Sequence, residues 1–236
     1  IFEGGRRISY GARALNEGGY QSLPDLSFPG GALIGCDAGT LNTPKIKGTH
    51  TAMKSGMIAS ELVFNKLNSN DTNLDISNFY NEFLSSWAGQ ELKKARNVRP
   101  SFKFGQKIGM ILSGIDQIIL RGKAPWTIKH GEEDHLSLKN KNDVKKIIYP
   151  KADGVFTFDR LTNVSYTSTY HEENQPCHLK LNDSKLPISN NLEFFDSPEQ
   201  RYCPAGVYEI VNHEGAPKLN INSQNCIHCK TCDIKD

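Results

Sequence analysis

The chain has 236 residues, of which 37% are hydrophobic and 23% are charged, so it can bury the core of one large domain or of two ordinary ones. Its formal net charge is only +2, and it carries no recognisable nucleic-acid-binding motif, so a nucleic-acid partner is not expected. The opening residues, IFEGG, show no initiator methionine, signal peptide or transit peptide and read like the middle of a protein. We therefore expect the chain to be a fragment.

The first hundred residues predict one strand and two helices. GALIG, at 31–35, predicts a short buried strand, and the CDAGTLNTPKIKG that follows predicts a loop. THTAMKSGMIASELVFNKL, at 49–67, predicts a long helix because its apolar or small residues recur mostly at steps of three and four. NSNDTN ends this helix, and a second helix is predicted over about 75–96.

The predicted strand, the turn after it and the long helix form a candidate flavin site. Many FAD enzymes have a late strand that ends in Gly-Asp, where the carboxylate meets the ribityl chain and the next helix begins beside the ring or phosphates. In this chain Cys36 separates Gly35 from Asp37, so two alignments of Asp37 with that pattern stay open. The Gly-rich dinucleotide fingerprint that would identify FAD is absent from the sequence.

Two lysines, Lys45 and Lys47, lie just before the predicted long helix. Cations at a helix N-terminus oppose the helix dipole, and a nearby anion such as a flavin pyrophosphate would remove this conflict. The alternative is that both side chains point into water, at a cost of about 0.3–1 kcal/mol each. The sequence leaves both explanations open.

Residues 101–121 predict an amphipathic helix that four charged residues interrupt. About 20 predominantly apolar residues are needed to span a bilayer, so this segment is not expected to cross one. Flanking basic residues and the nearby Trp126 fit a helix that lies in the plane of a membrane surface. The alternative is a helix that packs against the protein core. The apolar stripe contains Phe104, Ile108, Ile111, Ile115 and Ile118.

From about residue 145 the pattern becomes β-like, and no long helix is expected. The strand-like runs are VFTFDRL, VSYTSTY, CHLKL, GVYEIV and KLNIN, separated by residues typical of turns. We therefore expect a second domain at roughly 150–236.

Four of the 6 cysteines lie near the end of the chain, which indicates a metal site in a reducing compartment rather than a disulfide framework. Cys226, Cys229 and Cys232 form a CxxCxxC run. In bacterial ferredoxins a fourth cysteine, followed by proline, lies four residues further on, but that position holds Asp236.

The fourth ligand is predicted to be Cys203, because Cys203-Pro204 is the one Cys-Pro pair of the sequence. In two-cluster ferredoxins such a remote Cys-Pro completes the triplet of another cluster. The strand-like runs GVYEIV and KLNIN, with a turn at NHEGAP, predict a hairpin between Cys203 and Cys226. A hairpin brings its two ends together, so all four thiolates can meet.

Two metals compete for this set of ligands. Structural zinc sites usually pair two separated CxxC knuckles, whereas three successive ligands at two-residue gaps suit three corners of a 4Fe–4S cube. We therefore favour a 4Fe–4S cluster, with a structural zinc module as the alternative. His228 is interpreted as a surface residue or one that supports the ligands, and the isolated Cys36 and Cys177 are expected to be small buried thiols.

Several stretches of the sequence resemble the electron transfer flavoprotein–ubiquinone oxidoreductase family. They are the Gly-rich segment from GRRISYGARALNEGG to THTAMKSGM, then RNVRPSF, and finally RYCPAGVYEI together with QNCIHCKTCDIKD. The similarity runs over nearly the whole chain, which resembles the C-terminal portion of such an enzyme.

The resemblance implies an electron-transferring-flavoprotein dehydrogenase, in which FAD and one 4Fe–4S cluster pass electrons from reduced electron transfer flavoprotein to ubiquinone. It also favours membrane contact through 101–121. No general acid or base is expected, because the chemistry belongs to the cofactors. The implied cluster ligands are Cys203, Cys226, Cys229 and Cys232. The residues implied to border FAD are Gly35, Asp37, Gly39, Thr40, Leu41 and Asn42.

The expected fold class is α+β, with an α/β flavoprotein portion and a ferredoxin-like iron–sulfur domain. The predicted domains are 1–97 for FAD, 98–149 for the membrane-surface helix and its connection, and 150–236 for the cluster. The expected location is the mitochondrial inner membrane at its matrix face or the bacterial inner membrane at its cytoplasmic face. An electron-carrier domain of the ferredoxin type without its own flavin remains an alternative.

Overall fold

The computed structural model describes residues 3–69 and 75–235. The chain divides into two compact units, one formed by Leu15–Gly131 and the other by Ile1–Ala14 together with Glu132–Asp236. We call the first the helical unit and the second the cysteine unit. The division into three domains made from the sequence stays a prediction.

The helical unit combines a two-stranded sheet with α-helices. Its antiparallel strands are β1 (Ser27–Phe28) and β2 (Gly31–Ala32). Its α-helices are α1 (Thr49–Leu67), α2 (Phe79–Ser85), α3 (Trp87–Ala95), α4 (Val98–Ser101) and α5 (Gln106–Gly114). Its core consists of Leu26, Ala38, Ile58, Ala59, Ile76, Phe79, Phe83, Ala88 and Leu92.

The predicted long helix is confirmed as α1, with the same bounds. The second predicted helix is divided into α2 and α3, because Ser86 has an extended backbone with ψ 164° and its Oγ accepts a capping hydrogen bond from the Gly89 N–H. The predicted break NSNDTN falls largely on residues 70–74, which lie outside the described residues.

The predicted buried strand GALIG is largely wrong. Only Gly31 and Ala32 pair in a sheet, and Leu33 and Ile34 are exposed. The pairing ends there because the chain turns at once into a 3₁₀ helix, Gly35–Ala38.

The amphipathic segment 101–121 is broken rather than one continuous helix. A 3₁₀ turn, Phe102–Phe104, precedes α5, and a π-helical turn, Ile115–Ile119, follows it. The break falls at Gly105, whose φ of 93° is favoured by glycine. Nowhere in 3–69 or 75–235 does a helix have the length and apolar content to cross a membrane.

The cysteine unit contains a hairpin and several short helices. The strands are β3 (Tyr208–His213) and β4 (Ala216–Ile221), and the α-helices are α6 (Arg160–Ser165), α7 (Glu193–Phe195), α8 (Glu199–Tyr202) and α9 (Thr231–Lys235). The described chain is therefore a mixture of helices and two small antiparallel sheets. The α/β flavoprotein portion of the expected fold remains a proposal.

Three of the five predicted strands in this unit are wrong. VFTFDRL, VSYTSTY and CHLKL form no strand, and the first two contribute to α6 instead. Asp159 caps this helix by accepting a hydrogen bond from the Thr162 N–H over 2.9 Å. A side-chain cap of this kind can outweigh the β propensity of a short aromatic run.

The predicted hairpin is confirmed. β3 and β4 are antiparallel, and Tyr208 pairs with Ile221 at the open end. Glu214 and Gly215 form the two-residue turn with φ values of 52° and 85°, as a type I′ turn requires. The hairpin therefore returns the chain close to the point where it left.

Candidate metal centre

Four cysteines line a single cavity of about 100 Å³ in the cysteine unit. Each carries a free thiol. Apolar side chains, among them those of Ala205, Val207 and Ile227, contribute to the same wall. The four cysteines are the predicted ligands Cys203, Cys226, Cys229 and Cys232.

Cys203 is positioned by the short helix before it and the strand after it. Its N–H donates to the Glu199 carbonyl over 3.3 Å, and its carbonyl accepts from Arg160 Nη1 over 3.0 Å. The Val207 N–H donates to Cys203 Sγ over 3.4 Å. At the other end of the hairpin, the Asn222 N–H donates to the Val207 carbonyl over 2.7 Å. These bonds fix the start and the end of the hairpin beside the cavity.

The CxxCxxC loop has an unusual backbone on both sides of its middle cysteine. His228 and Lys230 have φ values of 54° and 67°, in the left-handed region that residues with a Cβ rarely adopt. Such conformations cost about 1–3 kcal/mol each and persist where the surrounding structure fixes them. They commonly occur at functional sites, which fits a loop that has to aim three sulfur atoms at one place.

Polar side chains lie close to the cysteine sulfurs. The pKa of Tyr208 is raised by burial and by its hydrogen bond to the Cys232 thiol, with the neighbouring ionisable groups adding to the shift. Cys229 Sγ and Thr231 Oγ1 lie 3.4 Å apart. Hydrogen bonds to ligand sulfurs are one of the means by which proteins set the potential of an iron–sulfur cluster.

The thiols also influence each other. Burial raises the pKa of the Cys226 thiol, and the neighbouring Cys232, Cys229 and Cys203 raise it further, whereas a hydrogen bond from the His228 backbone lowers it. Four thiolates in a half-buried cavity repel one another, so a bound cation is needed to stabilise the fully ionised set. The donor set therefore fits a metal centre.

Three histidines surround the first cysteine of the loop. The His171 Nε2–H donates to the Cys226 carbonyl over 2.8 Å, and Gln175 Nε2 approaches His171 Nδ1 at 3.3 Å. The rings of His171, His178 and His228 have centroids 4.8–5.3 Å apart. The pKa of His178 is lowered by burial and by its cationic neighbours.

Sequence reasoning noted His228 but missed His171 and His178, because nothing in the local pattern connects them with the cysteine run. His228 is exposed, as interpreted from the sequence. Ligand atoms of His178, Cys226 and His228 all lie within 4.8 Å of one another, so a single ion could engage both rings and this thiol.

Comparison with known proteins bears on the kind of metal centre that the cysteines form. Residues 154–236 match a family model described as "Electron transfer flavoprotein-ubiquinone oxidoreductase, 4Fe-4S". The mitochondrial electron transfer flavoprotein-ubiquinone oxidoreductase of Homo sapiens is 53% identical over 99% of this chain. The proteins of the same name from Arabidopsis thaliana and Caenorhabditis elegans are 50% and 51% identical, over 100% and 99% of the chain.

The chain belongs to the electron transfer flavoprotein-ubiquinone oxidoreductase family. It covers 39%, 37% and 40% of the length of these three relatives. The 4Fe–4S description of the matched segment favours an iron–sulfur centre over structural zinc.

In this member of the electron transfer flavoprotein-ubiquinone oxidoreductase family, the residues predicted to border FAD lie around the start of α1. Gly35 donates its N–H to Ser55 Oγ over 2.9 Å, and Gly39 closes the 3₁₀ turn with φ 87°. Asp37 is exposed, whereas the segment from Gly39 to Asn42 is buried.

The buried part of this loop is held by internal bonds, with one exception. Thr51 Oγ1 donates to the Thr40 carbonyl over 2.6 Å, and the Asn42 side chain binds Glu91. The Thr40 hydroxyl is buried and has no hydrogen-bond partner among the described residues. A buried hydroxyl without a hydrogen-bond partner is uncommon in folded proteins.

The two isolated cysteines differ from expectation. Cys36 is half-buried, and Cys177 is exposed rather than buried. Cys177 Sγ lies 3.2 Å from the Leu179 carbonyl, a local contact in an irregular segment. Neither residue is among those that line the cavity of the four cysteines.

Proposed function

We propose that the chain is part of a membrane-associated iron–sulfur flavoprotein that passes electrons from reduced electron transfer flavoprotein to ubiquinone through FAD and one 4Fe–4S cluster. The observation that carries this proposal is the cavity shared by four free cysteines in a chain of this family. Cys203, Cys226, Cys229 and Cys232 would hold the cluster. When bound, the cluster would supply a one-electron carrier.

The protein's own residues have three tasks at this centre. The apolar wall around Ala205 and Val207 restricts water, which lowers the local polarity around the sulfurs. The Val207 N–H donates a hydrogen bond to Cys203 Sγ, and we expect the Tyr208 hydroxyl to donate one to Cys232 Sγ; both bonds would stabilise the additional negative charge of the reduced state. The Cys226 N–H donates to the Ser223 carbonyl, and the His171 Nε2–H donates to the Cys226 carbonyl; these two bonds hold the first ligand in place.

Electron counting explains why two centres are needed. The donor flavoprotein gives electrons one at a time, whereas ubiquinone takes two. A one-electron port must therefore work with a group that holds either one or two electrons, as a flavin does. The residues proposed to border FAD are Gly35, Asp37, Gly39, Thr40, Leu41 and Asn42. The exposed position of Asp37, in the segment before the long helix α1, supports this part of the proposal.

Contact with the membrane is proposed for 101–121. Eight large apolar residues of this segment are exposed, and Ile118 reaches 80% exposure. Exposed apolar side chains on a short helix with flanking lysines suit the boundary between headgroups and acyl chains. The exposed residues are Phe102, Phe104, Ile108, Met110, Ile111, Ile115, Ile118 and Ile119.

The relatives are named mitochondrial, which supports a mitochondrial location, and within it we propose the matrix face of the inner membrane. The cytoplasmic face of a bacterial inner membrane is the other candidate location. Ubiquinone resides in the lipid phase, so either location requires a protein that contacts the membrane surface.

The proposal is tested by iron, sulfide and flavin analysis of the full-length protein, with EPR of the dithionite-reduced sample. We expect about four irons and four sulfides per chain and the EPR signal of a reduced cubic cluster. Zinc without this signal after reconstitution would contradict the cluster. A cluster without stoichiometric flavin would favour a carrier of the ferredoxin type.

A further inference from the structure

We propose that residues 7–14, which we call the N-terminal strap, are a positioning element for the cluster site. The strap contacts both segments of the chain that carry the cysteines, although it lies far from them in sequence. This inference rests on the proposed cluster, and the experiment below separates failure of the strap from failure of the cluster.

Backbone and side-chain bonds connect the strap to the two cysteine-bearing segments. The Ala14 N–H donates to the Cys229 carbonyl over 2.8 Å. The Tyr10 hydroxyl donates to the carbonyl of Pro204, the residue after Cys203, over 3.4 Å. One continuous segment of the chain therefore touches the Cys-Pro segment and the CxxCxxC loop at the same time.

Arg7 anchors the other end of the strap. Its guanidinium carbon lies 3.9 Å from the ring centroid of Phe158 and 4.2 Å from that of Tyr166. Arg7 Nη1 also donates to Asn163 Oδ1 over 2.5 Å. The Tyr10 N–H donates to the Tyr166 carbonyl over 3.1 Å, which continues the attachment along the strap. A planar guanidinium between two aromatic rings is a specific arrangement that lysine does not reproduce.

The hydrogen bond from the Ala14 N–H reaches the CxxCxxC loop at its most strained part. Cys229 lies between His228 and Lys230, the two residues with left-handed backbones. A strained backbone relaxes unless neighbouring groups hold it. The Ala14 N–H holds the Cys229 carbonyl from outside the loop, so release of the strap would allow the loop to move away from the geometry that the cluster needs.

We expect the strap to affect both the rate at which the cluster is lost and the electronic environment of the cluster. It does so without contacting iron. Arg7 therefore acts through Ala14 and Cys229 as a positioning residue. The matched control is Arg6, the exposed residue of the same type directly before it.

The experiment compares Arg7→Ala with Arg6→Ala in the full-length, cluster-loaded protein. Three quantities are measured: the rate of iron loss to a chelator, the EPR line shape of the reduced cluster, and deuterium uptake in the 226–232 peptide. We expect Arg7→Ala to lose iron about tenfold faster, because it removes a stacked cation and a charge-assisted hydrogen bond. In Arg7→Ala the EPR line shape of the reduced cluster should change and deuterium uptake in the 226–232 peptide should rise. Arg6→Ala should match the parent protein in all three quantities.

Two further variants keep the test decisive if Arg7→Ala does not accumulate. Arg7→Lys keeps the charge but loses the planar stacking, and we expect an intermediate rate of iron loss. Tyr10→Phe removes one neutral hydrogen bond, and we expect about threefold faster loss. Tyr170→Phe, at an exposed tyrosine, is its control.

Equal rates of iron loss and equal EPR line shapes in Arg7→Ala and Arg6→Ala would overturn the proposed positioning role of the strap. Faster loss with unchanged uptake at 226–232 would also overturn it, because the effect would then arise elsewhere. A parent protein that binds no cluster after reconstitution would instead contradict the proposed function.

Discussion

Asn42 donates a hydrogen bond from Nδ2 to Oε1 of Glu91 over 2.6 Å. The same carboxylate oxygen lies 2.8 Å from His50 Nε2 and 3.2 Å from Lys45 Nζ. This carboxylate therefore connects the proposed flavin loop, the first turn of α1 and the middle of α3. From the sequence, the positive charge of Lys45 was expected to face either an anionic cofactor or bulk water. In the structure it faces the Glu91 carboxylate of the protein itself.

The first prediction concerns the pH dependence of this connection. Burial raises the pKa of Glu91, but hydrogen bonds from His50, Asn42 and Lys45 outweigh it and lower the pKa from 4.5 to about 2. A carboxylate with a depressed pKa stabilises the fold above its unfolded-state pKa, and this contribution disappears as the pH falls through the folded-state value. The contribution of Glu91 should therefore be complete above about pH 5 and decline between about pH 4.5 and 2.

Glu91→Gln tests this in the full-length protein. We expect the free energy of unfolding to fall by about 1–2 kcal/mol at pH 7, because a charged acceptor of several hydrogen bonds is lost. Urea titrations at pH 3 to 7 measure the difference between parent and variant, which should shrink below about pH 4.5. Glu61→Gln, at an exposed position on α1, is the control. A difference that stays constant down to pH 3 would contradict the role of the Glu91 charge.

The second prediction is that Cys203→Ala prevents cluster assembly. Cys203 lies next to the hairpin and lines the same cavity as the triplet, so its thiol is the expected fourth ligand. Iron content after reconstitution measures the loss, and Cys177→Ala should bind iron normally because Cys177 is exposed and is not among the residues that line the cavity. Normal iron content in Cys203→Ala would show that Cys36 or Cys177, rather than Cys203, is the fourth ligand.

The third prediction is that the cysteine unit depends on its cluster for order. Among the described residues of this unit, the hydrophobic core contains only three buried residues, Cys203, Ala205 and Val207, with partly buried neighbours around them. So few buried groups supply little hydrophobic stabilisation, and metal ligation usually provides the rest in such units. Removal of iron should raise deuterium exchange in 199–232 by roughly tenfold or more, while α1 stays protected by its own core. Equal exchange with and without iron would contradict this dependence.

The fourth prediction concerns the potential of the cluster. Tyr208 and Cys232 line the same cavity, and the Cys232 thiol contributes to the raised pKa of Tyr208, so we expect the Tyr208 hydroxyl to donate to the Cys232 sulfur, which becomes more negative on reduction. Tyr208→Phe should therefore lower the midpoint potential, by roughly 50 mV, since a hydrogen bond worth about 1 kcal/mol more in the reduced state is lost. An EPR-monitored redox titration measures this, with Tyr170→Phe as the control. An unchanged or higher potential would show that the hydroxyl does not act on the cluster.

The parts of the site that were predictable from the sequence depend on local patterns. The helix α1 follows from the spacing of its apolar residues, and the β3–β4 hairpin follows from two short β-like runs around Glu214-Gly215. The hairpin in turn explains how Cys203 and Cys226 reach one cavity. Short-range chemistry determined each of these features, so the sequence alone was sufficient.

The parts that were not predictable depend on contacts between distant residues. His171 binds the Cys226 carbonyl, and Arg7 inserts between Phe158 and Tyr166, but no spacing rule connects such pairs. The run around Asp159 looked like a strand because its aromatic residues favour β structure, whereas the Asp159 side chain caps a helix by accepting a hydrogen bond from the Thr162 N–H.

The fifth prediction is that Ile111→Glu releases the full-length protein from lipid vesicles. Ile111 is 63% exposed on α5, where the neighbouring apolar side chains are exposed as well. A carboxylate in the acyl region loses its hydration, and the isoleucine no longer contributes its apolar area, so binding should weaken at least about tenfold. Sedimentation with vesicles of phosphatidylcholine and cardiolipin measures the bound fraction. Ile148→Glu makes the same change at a side chain that is 90% exposed in the cysteine unit, and it should bind as the parent protein does. Equal release by both variants would indicate an effect of added negative charge alone, and no release by Ile111→Glu would mean that 101–121 packs against protein.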